Sequence, residues 1–351
     1  MQTKISKNYT AESFWKNKSV LITGINGFIG GNLSKYLTNL NAKIIGITNN
    51  KIKNKFLEFE KISKLVKISQ VSLQNYDEIQ KFVNKNKIDV CIHLAAQVDV
   101  TIAKTDPLLT FQSNVTGTFN LLESLRKKGE TKAIIVASSD KAYGTYPLSQ
   151  LPYKETYDLR PIFPYDVSKA CGDMISKSYS SDLFNLPIII TRFANIYGPG
   201  QLNFTALVPD FILEIEKYRK FVPRGNGSNK RDFLYVKDVC DLYTCLAYNI
   251  YKDKSLSGEI FNAGTTHGYT VDYIIKTLCD LSNRKDLYFE TKKKFKNKNL
   301  TGEIKHQFMN FNKLKKYFGW KPIYKIEDGL VETLDWYKKF LKKYPYKYFV
   351  K

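Results

Sequence analysis

Short, wholly apolar runs alternate with stretches of helical spacing through the first half of the chain, and this alternation constrains the fold more than any other feature. Ser19–Thr23 (SVLIT), Lys43–Thr48 (KIIGIT), Asp89–Leu94 (DVCIHL), Ala133–Ala137 (AIIVA) and Pro187–Thr191 (PIIIT) are rich in β-branched residues and too short for buried helices. Between them, Phe28–Leu40, Asp106–Lys127 and Tyr165–Phe184 carry apolar residues at helical intervals. Strands apolar on both faces and separated by helices belong in a parallel sheet covered on each side, since parallel neighbours need a crossover long enough to hold a helix. The expected class is α/β, with a doubly wound parallel sheet.

The first strand runs into Gly24-Ile25-Asn26-Gly27-Phe28-Ile29-Gly30 at the start of a helix. The three glycines serve a tight turn, a close backbone approach to a pyrophosphate, and close packing of helix on strand. The helix N-terminus adds free N–H groups and the positive end of its dipole. Glycines at such spacing say little alone; in the first strand–helix unit of an alternating chain they predict a dinucleotide site. An acid ending the second strand commonly bonds the ribose of NAD, but here the strand ends Thr48-Asn49-Asn50-Lys51. Asn49 can bond the ribose, whereas Lys51 or Lys53 can meet the 2′-phosphate of NADP. NAD is the expected cofactor and NADP the alternative.

The spacing G-x-x-G-x-x-G within LITGINGFIG resembles the extended short-chain dehydrogenase/reductase family of NAD-dependent epimerases and dehydratases, enzymes that modify nucleotide sugars on a Rossmann-type sheet. The resemblance runs from about Phe14 to Tyr337. It implies a dinucleotide-binding domain over 14–199 and a smaller α/β substrate-binding lobe over 200–351, with some chain returning to the first domain. After Arg192 the pattern does loosen, with helical pieces near Phe204–Tyr218, Val236–Ile250 and Val271–Ser282 and two closing helices, Asn312–Phe318 and Glu327–Lys343.

Oxidising a sugar hydroxyl requires a group that takes its proton. Tyrosine is too weak an acid at neutral pH unless a cation, here a lysine one helical turn on, stabilises the phenolate. Tyr165-Asp166-Val167-Ser168-Lys169 has that spacing. The resemblance makes Tyr165 and Lys169 catalytic and cofactor-binding, and adds Ser139 as a hydroxyl on the reacting oxygen. It also sets Leu94, Ala95, Ala96 and Gln97 above the cofactor, with Asn114 behind them, and brings Gln97, Asn195, Val208 and Arg231 to the substrate. A guanidinium fork such as that of Arg231 suits a diphosphate. His93 and His306 are read as packing residues.

Ser138-Ser139-Asp140-Lys141 separates the activities of the family. Epimerases carry small or apolar residues after the serine, because their keto intermediate only rotates. Eliminating water across carbons 5 and 6 needs one group to remove the carbon 5 proton and another to protonate the departing hydroxyl. The Asp140-Lys141 pair resembles the CDP-glucose 4,6-dehydratase branch, as do Phe14-Trp15-Lys16 and EIKHQFMNFNKLKKYFGWKP. Asp140 is then the acid, and Lys141 either the base or a charge that stabilises the enolate. An epimerase or 4-keto reductase is the alternative activity, a non-catalytic dinucleotide binder the second. A simple ion pair at a strand end is the competing reading of Asp140 and Lys141.

Composition narrows the remainder. Five dispersed cysteines and three lone histidines give no metal spacing and no disulfide framework, so no metal is expected. No apolar stretch is long enough to span a membrane, and the lysine-dotted start lacks a signal pattern; a cytoplasmic protein is expected. The formal charge of +22 comes from lysines spread end to end. It is read as solvated surface, and no nucleic-acid partner is expected. A homodimer through the helices around Thr110–Arg126 and Tyr165–Tyr179 is the expected assembly.

Overall fold

A computed structural model of the chain describes residues 12–49, 55–295 and 304–349. Six strands come first along the chain: β1 (Ser19–Thr23), β2 (Lys43–Thr48), β3 (Val66–Gln70), β4 (Val90–His93), β5 (Ala133–Ser139) and β6 (Ile188–Phe193). Short strands β7 (Asn195–Tyr197), β8 (Lys230–Arg231) and β9 (Phe233–Tyr235) follow, then β10 (Ile260–Ala263), β11 (Tyr269–Thr270) and β12 (His306–Gln307). One sheet of seven parallel strands has the order β10-β6-β5-β4-β1-β2-β3. It is a doubly wound Rossmann-type sheet, as the alternation predicts.

Alternate residues of each central strand enter different cores. Val20 and Ile22 pack with Leu33 and Leu37 on one face. Leu21 points to the other, among Ile79, Val83, Leu121 and Leu125. Both faces being dry, the run reads as continuously apolar. On the first face, helix Val236–Lys252 packs against helix Phe28–Thr38 and the sheet. Past β6 the chain builds two small sheets, β11-β8-β12 and β7-β9, but it also sends β10 back to the edge of the main sheet beside β6.

Two elements differ from the pattern reading. The helix expected over Asp106–Lys127 is interrupted: helix Pro107–Phe111 gives way to a π-helical turn at Gln112–Thr116 before helix Gly117–Lys128. A further helix, Lys285–Phe295, ends in the lysine-rich stretch, whose residues 296–298 lie outside the described residues. No helix among the described residues is long and apolar enough to cross a membrane.

The sheet order reverses between β1 and β4, so crossovers leave the two strands in opposite directions and open a crevice beyond their carboxyl ends. Thr23, Thr48, His93 and Ser139 end strands on that edge, and Phe193 ends β6 beside them. The site lies there.

Candidate active site

A cleft of about 2070 Å³ runs along the carboxyl edge of the sheet. Gly24, Asn26, Gly27, Phe28, Ile29 and Gly30 line one end, with Asn49 beside them. Gly24 has φ +69°, and a Cβ there would sit 2.9 Å from the backbone of Ala95. A side chain on Gly30 would collide with the carbonyl of Gly24. This crowding keeps the turn low against the helix start and leaves its backbone open to the cleft, a cradle that fits a dinucleotide pyrophosphate. Lys51 and Lys53, the residues on which an NADP reading turns, lie outside the described residues.

The floor is held by a buried polar chain. Thr23 Oγ1 accepts the N–H groups of Leu94 and Ala95, each at 3.0 Å, and donates to His93 Nδ1 at 2.7 Å. The Thr118 hydroxyl donates to the Asn114 carbonyl at 2.6 Å, so His93 Nε2 supplies the proton in its 2.9 Å contact with Thr118. Both ring nitrogens are engaged, and burial pushes the His93 pKa down to about 3, assisted by the charge of Lys169. His93 is a neutral strut, in keeping with its reading as a packing residue. His306 lies in β12 beside Lys230; burial and the charges of Lys230, Arg231 and Lys305 lower its pKa.

Leu94, Ala95, Ala96 and Gln97 line the cleft, but Asn114 sits behind them. Its side chain accepts the Gln97 N–H at 2.7 Å and donates to the Gln97 carbonyl and to Ser168 Oγ. The π turn places Asn114 between the loop and the tyrosine-bearing helix, where it clamps one to the other; such turns recur at functional sites.

Ser139, Asp140, Lys141, Tyr165 and Lys169 all line the cleft. Ser139 ends β5, and its hydroxyl donates to Asp140 Oδ1 at 3.0 Å. Asp140 is buried, and burial raises its pKa, while Lys141, Ser139 and Arg231 counteract that rise. Lys141 Nζ donates to Gln307 Oε1 at 2.8 Å. Tyr165 and Lys169 occupy the first turns of helix Pro164–Ser180. Lys169 Nζ donates to the Ala137 carbonyl at 3.0 Å, and burial lowers its pKa to about 8. The expected acidification of Tyr165 by Lys169 is not what governs the phenol. Burial pushes it above its ordinary value, the Asp140 charge acts in the same sense, and a hydrogen bond with Ser139 opposes them.

Asn195, Val208 and Arg231 line the same cleft. The Asn195 amide donates to the Asp232 carbonyl at 3.3 Å. Arg231 donates to the carbonyls of Lys230 and Lys305, each at 3.0 Å. The fold thus gathers the expected residues along one cleft, with Asn114 as their brace. Two neighbours carry no recognisable motif: Gln307, and Asp166, which hides in a freely variable position of Y-x-x-x-K. Among the described residues, no group of three or more His, Cys, Asp or Glu side chains could hold a metal.

Sheet order, glycine cradle and tyrosine-bearing helix together define an extended short-chain dehydrogenase/reductase. Within that class the chain belongs to the GDP-mannose 4,6 dehydratase family, whose model matches residues 21–333. It is 32% identical over 256 residues to the dTDP-D-glucose 4,6-dehydratase of Mus musculus, covering 72% of this chain and 68% of that protein. It is 30% identical over 327 residues to a trifunctional UDP-glucose 4,6-dehydratase/UDP-4-keto-6-deoxy-D-glucose 3,5-epimerase/UDP-4-keto-L-rhamnose-reductase of Arabidopsis thaliana, covering 91% of this chain but 47% of that one; the chain spans about half the length of such relatives. Similarity extends at 28% identity to a UDP-glucuronate 4-epimerase of Thermodesulfobacterium geofontis, with 91% and 96% covered, and at 23% to the CDP-glucose 4,6-dehydratase of Salmonella typhimurium, with 94% and 93% covered. The crystal structure of dTDP-glucose 4,6-dehydratase from Bacillus anthracis in complex with NAD superposes with a TM-score of 0.78 at 28% identity, over 92% of this chain and 97% of that one.

Proposed function

We propose that the chain is a nucleotide-sugar 4,6-dehydratase that holds NAD in the glycine cradle and converts an NDP-hexose to an NDP-4-keto-6-deoxyhexose. The observation that carries this reading is the Asp140-Lys141 pair: two ionisable groups directly after Ser139, both lining the cleft beside Tyr165. Moving a hydride off carbon 4 and back needs neither; eliminating water needs acid–base groups of this kind.

NAD held in the cradle of Gly24, Gly27 and Gly30 would supply the hydride acceptor for carbon 4 and the hydride donor for carbon 6. Tyr165 takes the proton of the carbon 4 hydroxyl, with Ser139 bonded to the same oxygen. Lys169, half-buried and bonded to the Ala137 carbonyl, lines the same cleft. Asp140 is suited to protonating the carbon 6 hydroxyl, because burial favours its neutral form. Lys141 lies beside the carboxyl groups of Asp140 and Asp166 and donates to Gln307. The Asp166 carboxylate favours the ammonium, which offsets charge on the enolate. Gln97, Asn195, Val208 and Arg231 bind the substrate, with the Arg231 fork toward the diphosphate.

The base and sugar are the finer part of this reading. The Asp-Lys pair and the segment around residues 303–322 speak for CDP-glucose, whereas the higher identity is to the dTDP-glucose enzyme. Native mass spectrometry of the purified protein, followed by incubation with CDP-, dTDP-, UDP- and GDP-hexoses, tests activity and specificity together. Bound NAD and a product lighter by one water are the expected result. A stereoisomer of unchanged mass makes the chain an epimerase and rejects the dehydratase.

A further inference from the structure

Asp166 follows Tyr165 in the first turn of helix Pro164–Ser180 and lines the cleft with Ser139, Asp140 and Lys141. An acid in the first turn of a helix is unremarkable at the surface, where water and the helix dipole both favour its charge. This one is only 3% exposed, and its carboxylate makes no hydrogen bond with a described residue. Buried carboxylates are ordinarily tied by hydrogen bonds, so one left loose and facing a reaction cleft calls for a task. Its neighbours are already committed. Asp140 accepts from Ser139 at 3.0 Å, and Lys141 donates to Gln307 at 2.8 Å.

The geometry points to Asp166 as the base that removes the carbon 5 proton during elimination, a catalytic residue beyond Ser139, Asp140, Lys141, Tyr165 and Lys169. The inference rests on the dehydratase reading and answers the question it leaves, namely which group removes that proton when Lys141 stays an ammonium. Position supports the role: Asp166 lines the same cleft as Tyr165, Asp140 and Lys141, near enough for their charges to bear on one another. Charge supports it too. Burial, the largest effect, lifts the Asp166 pKa to about 6 and Lys141 counteracts it; the Asp140 charge adds the smallest share, which falls away when Asp140 carries its proton. At neutral pH the group is therefore mainly ionised yet basic enough to accept a proton.

The step balances as follows. The Asp166 carboxylate takes the carbon 5 proton, the C–H electron pair forms the bond between carbons 5 and 6, and the carbon 6 oxygen leaves with the proton of Asp140 as water. When carbon 6 is reduced, the proton on Asp166 returns to carbon 5. The site is reset when the proton gained by Tyr165 reaches Asp140, and the Ser139 hydroxyl, bonded to both, bridges them.

The test uses the full-length protein with the nucleotide hexose it accepts, in D2O. Three quantities are followed: reduced nicotinamide formed on the protein, deuterium at carbon 5, and loss of water. Asp166→Asn is expected to reduce the cofactor normally while carbon 5 exchange and water loss fall about 100- to 10,000-fold; Asp166→Glu is expected to recover part of both. Wild-type rates of exchange and elimination in Asp166→Asn overturn the assignment alone. Equal loss of cofactor reduction and elimination, without recovery in the glutamate variant, marks a structural role and overturns it as well. A wild-type protein that releases no water from any nucleotide hexose overturns the dehydratase reading together with this one.

Discussion

At the scale of single residues, the site is a set of groups whose charges oppose one another. Tyr165 is held neutral by burial and by the negative charge of Asp140; Asp140 is itself driven toward its protonated form by burial. Burial and the charges of Asp140 and Asp166 all oppose ionising Tyr165, and a proton on Asp140 removes the larger of the two charges; on the dehydratase reading, the acid for elimination and the phenolate for oxidation then belong to the same microstate. Asp140→Asn keeps the neutral shape and removes the proton source. It is expected to leave reduction of bound nicotinamide close to wild type and to slow water loss about 100- to 10,000-fold, measured by single-turnover absorbance and mass spectrometry. Unchanged water loss would show that Asp140 is not the acid. The pH profile follows from Asp166, whose pKa is raised to about 6. Its carboxylate form is lost as pH falls through that value, so the rate of elimination should drop on the acid side of pH 6, and Asp166→Asn should erase that limb.

At the scale of elements, segments that follow β6 are tied to the site by a buried carboxylate. Asp232, between β8 and β9 and fully buried, accepts the Thr265 N–H at 2.9 Å, the Thr265 hydroxyl at 2.6 Å and the Met309 N–H at 3.1 Å. It thereby fixes the segment that follows β12, and with it Gln307, the partner of Lys141. Asp232→Ala leaves those N–H groups buried without acceptors and should lower stability by about 3 kcal/mol, read from the urea midpoint at constant slope. Burial sets the Asp232 pKa at about 7, above that of the unfolded chain. Folding therefore takes up a proton between the two values, and the Asp232 contribution to stability declines as pH rises from about 4 through 7. The strands at the centre of the sheet were legible in the sequence because both faces of β1, β4, β5 and β6 are dry. The edge strand β3 has one buried residue in five and no such signature, and β10 is four residues long and joins the sheet after a long excursion. The π turn escaped periodicity because it answers to the bonds of Asn114, made with Gln97 and Ser168 from other elements. In the same way Gly24, Tyr165 and Lys169 are readable from local spacing, whereas Gln307 reaches Lys141 from 166 residues away.

At the scale of the whole molecule, two forces bear on assembly. Helices Gly117–Lys128 and Pro164–Ser180 pack side by side, and they leave apolar side chains in water: Phe119 is 45% exposed and Met174 68%, with Leu108 at 66% on the preceding short helix. Large apolar side chains gathered on neighbouring helices mark an interaction surface, and a two-fold pairing would set the same patch against itself. Against this stands a formal charge of +22 on each copy, a repulsion that salt screens over about 10 Å at 0.1 M. A homodimer is therefore expected whose stability rises with ionic strength, the reverse of an assembly held by ion pairs. Sedimentation velocity at moderate salt should give twice the chain mass, with dissociation favoured as salt is withdrawn. Phe119→Glu combined with Met174→Glu places like charges across the two-fold axis and should yield a single chain at every salt concentration, with bound nicotinamide retained because neither residue lines the cleft. A wild-type protein that sediments as one chain throughout the series would leave these helices without a partner and reject the dimer.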